Sequence, residues 1–371
     1  MVLADLAGIY GAIAAVTVAG ACGMALALLA GPDRVASTVA TASLLAVSVG
    51  ASLGAGEALL RTPGIARRLG TPQERVAREA TYDRLWERNA FGYRSRHETF
   101  EKPPRTFRVL AIGDSFTWGD GIASSDDTWP AMLEHRLHSL IADRAVEVIN
   151  LGRNGFTTAN EAELLRRVGW QFQPDAVVVQ FFRNDVLPSG PDFARATSSY
   201  VSPRRTLVPA SLRRGRIESS ALLHAIEDRY SIWRNRSATD PWHDLYRDDF
   251  VGWQQLAAAL REMGDAARAR AVPIYLVIYP ALLPGPWTPE THPDRAVHDR
   301  VINVAEAAGM HVIDLTTTFG DGASEGRSWW AAPYDSHPNA PANAIAARVI
   351  ADALEAGLAG CPSCSAEDPA F

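Results

Sequence analysis

From Phe107 onward, short apolar stretches alternate with amphipathic ones, and this alternation constrains the fold more than any other feature of the chain. Phe107–Ile112 (FRVLAI), Ala145–Asn150, Asp175–Phe181 (DAVVVQF), Val272–Tyr279 (VPIYLVIY) and His311–Leu315 read as strands. Between and after them, Ala131–Ala142, Asn160–Trp170, about Phe250–Ala271, Arg295–Ala308 and Ala340–Leu358 read as helices. The first of these helices is opened by Thr128-Trp129-Pro130, with proline in the first turn. Strands with continuous apolar runs are covered on both faces. That predicts an α/β fold with a central parallel sheet between helical layers.

Composition narrows the class further. The chain has 371 residues, 47% hydrophobic and 21% charged, enough for a large core in one or two domains. Collagen-like, coiled-coil, disordered and disulfide-scaffold classes are excluded. A net charge of −6 argues against a nucleic-acid partner, which requires a basic face. The three cysteines, Cys22, Cys361 and Cys364, cannot build a disulfide framework. The Cys361–Cys364 spacing, with no second pair, is read as a local disulfide or as without role.

The apolar residues are unevenly spread. Ala7–Ala30 and Val35–Gly56 carry no charge, and Gly31-Pro32-Asp33-Arg34 lies between them. They predict two transmembrane helices, about 7–30 and 35–56, the second weaker because it is rich in Ser, Thr and Gly. Gly50 and Gly54 form a small-xxx-small step suited to close helix packing in lipid. The expected organisation is a membrane anchor over 1–60, an arginine-rich connector over 61–105, the α/β domain over 106–358 and a polar tail over 359–371. Within the domain, 186–249 lacks periodicity and reads as an insertion or lid.

Four short motifs carry chemistry, each at the end of a predicted element. Gly113-Asp114-Ser115 follows the first strand, the Gly155 turn follows the second and Asn184-Asp185 follows the third. Asp335-Ser336-His337 precedes the last helix. Open α/β sheets bind ligands at strand C-termini. A serine hydroxyl must lose its proton during attack, imidazole is suited to take it, and a carboxylate fixes the imidazole tautomer. Ser115, His337 and Asp335 supply those three groups. The Ser115 and Gly155 N–H groups and the Asn184 carboxamide are candidate oxyanion donors.

In this order the motifs closely resemble the SGNH (GDSL-type) hydrolase family, over roughly Thr106–Leu358. The resemblance implies a flavodoxin-like three-layer α/β/α sandwich and hydrolysis of esters, often acetyl or other acyl groups on carbohydrates or lipids. It makes Ser115 the nucleophile, His337 the base, and Gly155 and Asn184 oxyanion donors, and it implies no cofactor and no metal. Residues 89–94 (NAFGYR) also resemble the lead-in of membrane-anchored bacterial members. Two positions depart from the family pattern. The triad aspartate usually lies three before the histidine, where this chain has Tyr334, so Asp335, two before, is assigned. Phe182 stands where a glycine usually precedes the asparagine. Trp118, Trp330 and Arg183 are candidate substrate contacts, whereas His292, His298 and His311 lack a ligand-like spacing.

The expected function is a serine esterase anchored in a bacterial inner membrane and acting on an acylated glycan or lipid. Alternatives are an acyltransferase working with polysaccharide biosynthesis machinery, or a non-catalytic glycan-binding assembly protein on the same fold. Arginines 61, 67, 68, 75 and 78, against Arg34 in the loop, point the domain to the cytoplasm if both spans insert. A single span puts it outside, the side on which anchored members of the family act, and the lean is to that side.

Overall fold

The structure is a computed structural model that describes residues 18–26, 29, 34–71, 74, 77, 88–97, 99–141, 143–188, 220–235, 241–283, 286–324, 328–332 and 335–359. Clustered by contacts, the chain forms two compact units. One comprises Met1–Thr81 with Arg204–Ala238, the other Tyr82–Pro203 with Thr239–Phe371. The predicted insertion is therefore divided between units. The Cys361–Cys364 tail lies outside the described residues.

In the first unit, the helix Arg34–Leu60 covers the second predicted span. It has 27 residues, a mean hydropathy of 1.6 over its most apolar stretch and only 11% of that stretch buried. Among the described residues it alone is long and apolar enough to cross a membrane. Most of the first predicted span lies outside the described residues, but 18–26 is helical. It approaches the longer helix through small residues. A Cβ on Gly20 would lie 2.8 Å from Val47 Cγ2, and one on Gly23 would lie 2.5 Å from Ser43 Oγ. At the other end of the long helix, Glu57 is 1% exposed. Its carboxylate accepts from Ser220 Oγ at 2.9 Å and from the N–H groups of Ala221 and Leu222 at 3.0 and 2.9 Å. These are the unpaired donors that begin the helix Ala221–Asn235, so one acidic residue ties part of the insertion to the long helix.

The second unit holds the sheet. β1 (Thr106–Ile112) leads into the short helix α1 (Ser115–Trp118), then α2 (Trp129–Leu140), β2 (Ala145–Asn150) and α3 (Thr158–Arg167). β3 (Ala176–Phe181), α4 (Val251–Arg268), β4 (Ile274–Ile278), α5 (Arg295–Ala307), β5 (His311–Asp314) and α6 (Thr316–Ser324) follow. The chain then makes an antiparallel pair, β6 (Trp330–Ala332) and β7 (Asp335–Pro338), before α7 (Ala340–Ala359). The five long strands are all parallel, in the order β2-β1-β3-β4-β5.

Strand alternation produces the three layers. On β1, Phe107, Val109 and Ala111 face one side and pack with Trp129, Leu133 and Leu137 of α2 and Ala346 and Ile350 of α7. Leu110 and Ile112 face the other, with Leu165 of α3, Leu260 of α4 and Val301 of α5. Each fully buried large side chain contributes about 1.5–3 kcal/mol, so the sheet is a rigid platform. Arg108, the charged residue in this strand, is also fully buried. Its Nε donates to Glu147 at 2.7 Å and its other nitrogens to the Phe100, Glu101 and Phe172 carbonyls, which offsets the desolvation cost. The strand order reverses direction at β1, and the crevice between the C-terminal ends of β1 and β3 is where such sheets bind ligands.

Candidate active site

Ser115 leaves β1 through a turn that only glycine permits. A Cβ on Gly113 would come within 2.2 Å of Thr117 Oγ1 and 2.5 Å of Gln180 Oε1. Those two atoms are themselves bonded at 2.9 Å, locking α1 against β3. Asp114 caps α1 by accepting the Phe116 N–H at 2.9 Å. The turn after β2 comes equally close: a Cβ on Gly152 would lie 2.3 Å from the Trp118 nitrogen, and the Arg153 N–H donates to the Gly113 carbonyl at 3.1 Å.

The structure brings three of the sequence candidates into hydrogen-bonding contact. His337 Nε2 lies 2.9 Å from Ser115 Oγ, across 222 positions of sequence. His337 Nδ1 lies 2.6 Å from Asp335 Oδ1, which also accepts the His337 N–H at 3.1 Å. Asp335 and His337 sit two apart on β7, where the pairing with β6 shifts register, and their side chains meet. Burial pulls the His337 pKa down. The hydrogen bond and charge of Asp335, with Asp120 and Asp114 behind it, outweigh that and hold it above the ordinary histidine value.

The other candidates fall as follows. Asn184 stands in the 3₁₀ turn after β3, half-buried. Gly155 is exposed at the tip of the β2 turn with φ of +74°, a conformation that favours glycine. Phe182 stacks on Phe116 at 4.3 Å, and Phe116 in turn lies 5.4 Å from the His337 ring, so the residue replacing glycine builds an aromatic wall beside the imidazole. Trp118 does not offer a stacking face: it is 6% exposed, and Arg88 covers its ring at 5.3 Å. Arg183 is already engaged, with Asp294 at 3.2 Å and over the Trp242 ring at 5.4 Å. Trp330 is half-buried and donates to the Leu282 carbonyl.

Three further residues around the site are not among the sequence candidates. Asp120 Oδ2 lies 3.9 Å from His337 Nε2. Arg94, only 2% exposed, donates to the carbonyls of Gly119, Ile122 and Ala123 at 2.7, 2.8 and 3.1 Å, clamping the loop that carries Asp120. Glu161 is fully buried beside Asp114 and Asp185, which are also enclosed. Both Glu161 oxygens, Asp114 Oδ2 and Asp185 Oδ1 find no hydrogen-bond partner among the described residues. Burial pushes the Asp114 carboxyl up to about 6, against the Phe116 N–H and the charge of His337. Glu161, by burial and then by the Asp114 charge, is raised well above the carboxylate range, and Asp185 likewise.

This has a consequence for stability. A folded carboxyl held above its unfolded value keeps a proton that the unfolded chain has released, so its burial cost grows as pH rises past the unfolded value. Glu161→Gln removes that cost. The variant is expected to be more stable than the parent at pH 8, with the gap closing near pH 4. Urea denaturation at both pH values measures this, and an equal gap at the two would contradict it.

His292, Asp294 and His298 form the one group among the described residues whose ligand atoms could share a metal ion, all within 4.8 Å and buried. The donor set does not suit one. His292 Nε2 donates to the Ala281 carbonyl at 2.9 Å and its Nδ1 accepts the Asp294 N–H at 3.1 Å, while Asp294 faces Arg183. Only His298 Nε2 is without a partner, and burial lowers its pKa to about 4. This is a polar core, already mostly satisfied.

Residues 111–345 match the GDSL-like Lipase/Acylhydrolase family. Among solved structures, an acetylxylan esterase from Geobacillus stearothermophilus is 16% identical with a TM-score of 0.41, the match covering 66% of this chain and 92% of that one. An alpha/beta hydrolase enzyme from the metagenome of Lake Arreo, Spain, is 19% identical with a TM-score of 0.40, covering 69% and 96%. Among curated proteins no sequence matches.

Proposed function

The chain belongs to the GDSL-like Lipase/Acylhydrolase family, enzymes acting on ester bonds, and we propose that it is a membrane-anchored serine esterase that removes an O-acyl group, acetyl being the simplest, from a glycan or lipid. The observation that carries the reading is the contact of Ser115 Oγ with His337 Nε2 at 2.9 Å, with Asp335 on the opposite ring nitrogen. In this reading His337 takes the Ser115 proton as Oγ attacks the acyl carbon, and Asp335 stabilises the imidazolium. The Asn184 carboxamide and the Ser115 and Gly155 N–H groups receive the oxyanion, and the imidazolium then protonates the departing alkoxide. Half-buried Phe182, backed by Phe116, offers a flat apolar wall to the acyl chain. Anchoring is supported by the length and hydropathy of Arg34–Leu60, which makes the bilayer a partner of the protein.

The test uses the whole protein in detergent. A fluorophosphonate is expected to add one phosphonyl group, located on Ser115 by peptide mass, and to abolish hydrolysis of p-nitrophenyl acetate. Turnover that survives complete labelling, or a protein that neither labels nor turns over, would remove the reading. Rates on p-nitrophenyl esters from acetate to octanoate then set the acyl length.

A further inference from the structure

The imidazole nitrogen that faces Ser115 also faces a second carboxylate. Asp120 Oδ2 is 3.9 Å from His337 Nε2, and both side chains are open to solvent, at 30% and 27% exposure. Asp335 occupies the other ring nitrogen, and Asp114 lies enclosed behind the nucleophile, so Asp120 is the acidic group on the open side of the pair.

Asp120 is held by three parts of the chain. Gly119, at φ +84°, turns the backbone so that the Gly119 and Asp120 N–H groups both donate to the Ser115 carbonyl, at 3.0 and 2.8 Å. Arg94 grips the carbonyls on either side of that turn. Asn154, from the turn after β2, donates to Oδ2 at 3.3 Å, and Oδ1 accepts the Gly121 N–H at 2.9 Å. Oδ2 retains acceptor capacity, since a carboxylate has about four lone-pair sites.

We propose that Asp120 positions the water that attacks the acyl-enzyme, and so biases the site towards hydrolysis over transfer to an alcohol. The inference rests on Ser115 and His337 acting as proposed above. A water at ordinary hydrogen-bond distances from two acceptors 3.9 Å apart makes an angle of about 90° at its oxygen, close to the angle between its own two O–H bonds. One O–H then points at His337 Nε2 and the other at Asp120 Oδ2, which fixes the oxygen lone pair relative to the ester.

The step balances. The departing alkoxide has taken the Nε2 proton, so the imidazole is neutral. As the water oxygen bonds to the acyl carbon, one water proton passes to Nε2 and the carbonyl electron pair moves onto the oxyanion. The second hydrogen stays on the attacking oxygen, bonded to Asp120. Collapse of the oxyanion breaks the bond from carbon to Ser115 Oγ, which takes the proton back from the imidazolium, and the carboxylic acid leaves. An alcohol brings one hydrogen, which Nε2 consumes. It has nothing to give Asp120, and its alkyl group meets the carboxylate instead.

The experiment measures how the acetyl group divides between water and methanol when the whole enzyme turns over p-nitrophenyl acetate. In Asp120→Ala, the ratio of methyl acetate to acetate is expected to rise about tenfold, with a pre-steady-state burst of p-nitrophenolate as deacylation slows. In Asp120→Asn, whose carboxamide oxygen still accepts, the ratio is expected to fall between the two. The ratio is formed within each active molecule, so it is unaffected by any misfolded fraction. A ratio unchanged in both variants, in enzyme whose turnover still depends on Ser115, overturns the role of Asp120 and leaves the esterase reading standing. Absence of labelling and turnover in the parent overturns that reading instead.

Discussion

Ser115→Ala is expected to lower the turnover of p-nitrophenyl acetate by about 10⁴-fold or more, His337→Ala by a similar factor, and the double variant by no more than either alone. In the proposed reaction the hydroxyl and imidazole act as one device: without the base the hydroxyl is a poor nucleophile, and without the hydroxyl the base has nothing to activate. Their 2.9 Å contact is the physical form of that dependence. Ser115 is 8% exposed, and alanine fits its space on α1 without displacing the Asp114 cap, so the melting temperature should be nearly unchanged. Steady-state rates on folded protein decide the matter. Losses of only tenfold, or single losses that multiply in the double variant, would mean that the two side chains do not share one reaction.

The sheet was legible because its strands are apolar on both faces, a pattern that survives without knowledge of what covers them. β6 and β7 were not. Asp335-Ser336-His337-Pro338 has no apolar run, and it is extended only because it pairs with 330–332. That pairing places Asp335 so that it reaches Nδ1 from two residues before the histidine, although the spacing usual in the family falls on Tyr334. α6 was missed for a different reason. Its threonines and glycines are weak helix formers, but Gly320 and Gly322 are required there, since a Cβ would strike the Trp287 carbonyl at 2.6 Å and the Trp329 ring at 2.0 Å.

At the site, Ser115, Asn184 and His337 could be read because each falls at the end of an element. Asp120 could not, because its position depends on Arg94, in a segment the sequence offered only as a loose likeness. Glu161 looked like an ordinary acidic residue in the first turn of a helix, and only packing in the second unit buries it against Asp114 and Asp185. Trp118 is a candidate substrate contact from the sequence, but on a four-residue helix its ring is buried. At the N-terminus the apolar runs were evident. The Ser- and Thr-rich run is helical over Arg34–Leu60 and long and apolar enough to cross a membrane despite its lower hydropathy.

Asp335→Asn is expected to lower kcat by about 10²–10⁴-fold with the fold intact. The asparagine nearly matches the carboxylate in shape, and its Oδ1 can still accept both the His337 N–H and the ring Nδ1–H. What is lost is the negative charge beside Nδ1, which favours the imidazolium that forms when the ring takes the serine proton. A second effect separates this from simple damage. The bond and charge of Asp335 lead the influences that hold the His337 pKa above the ordinary value against its burial. The base works only when neutral, so in the parent kcat/KM rises with pH along a limb placed above about 6.5. In Asp335→Asn the carboxylates of Asp120 and Asp114 remain, but the largest support is gone, and the limb moves to lower pH. The residual activity of the variant, followed from pH 5 to 9, gives both readouts. A large loss with an unmoved limb would make Asp335 a structural residue of β7, whereas a displaced limb makes it the group that sets the state of the imidazole.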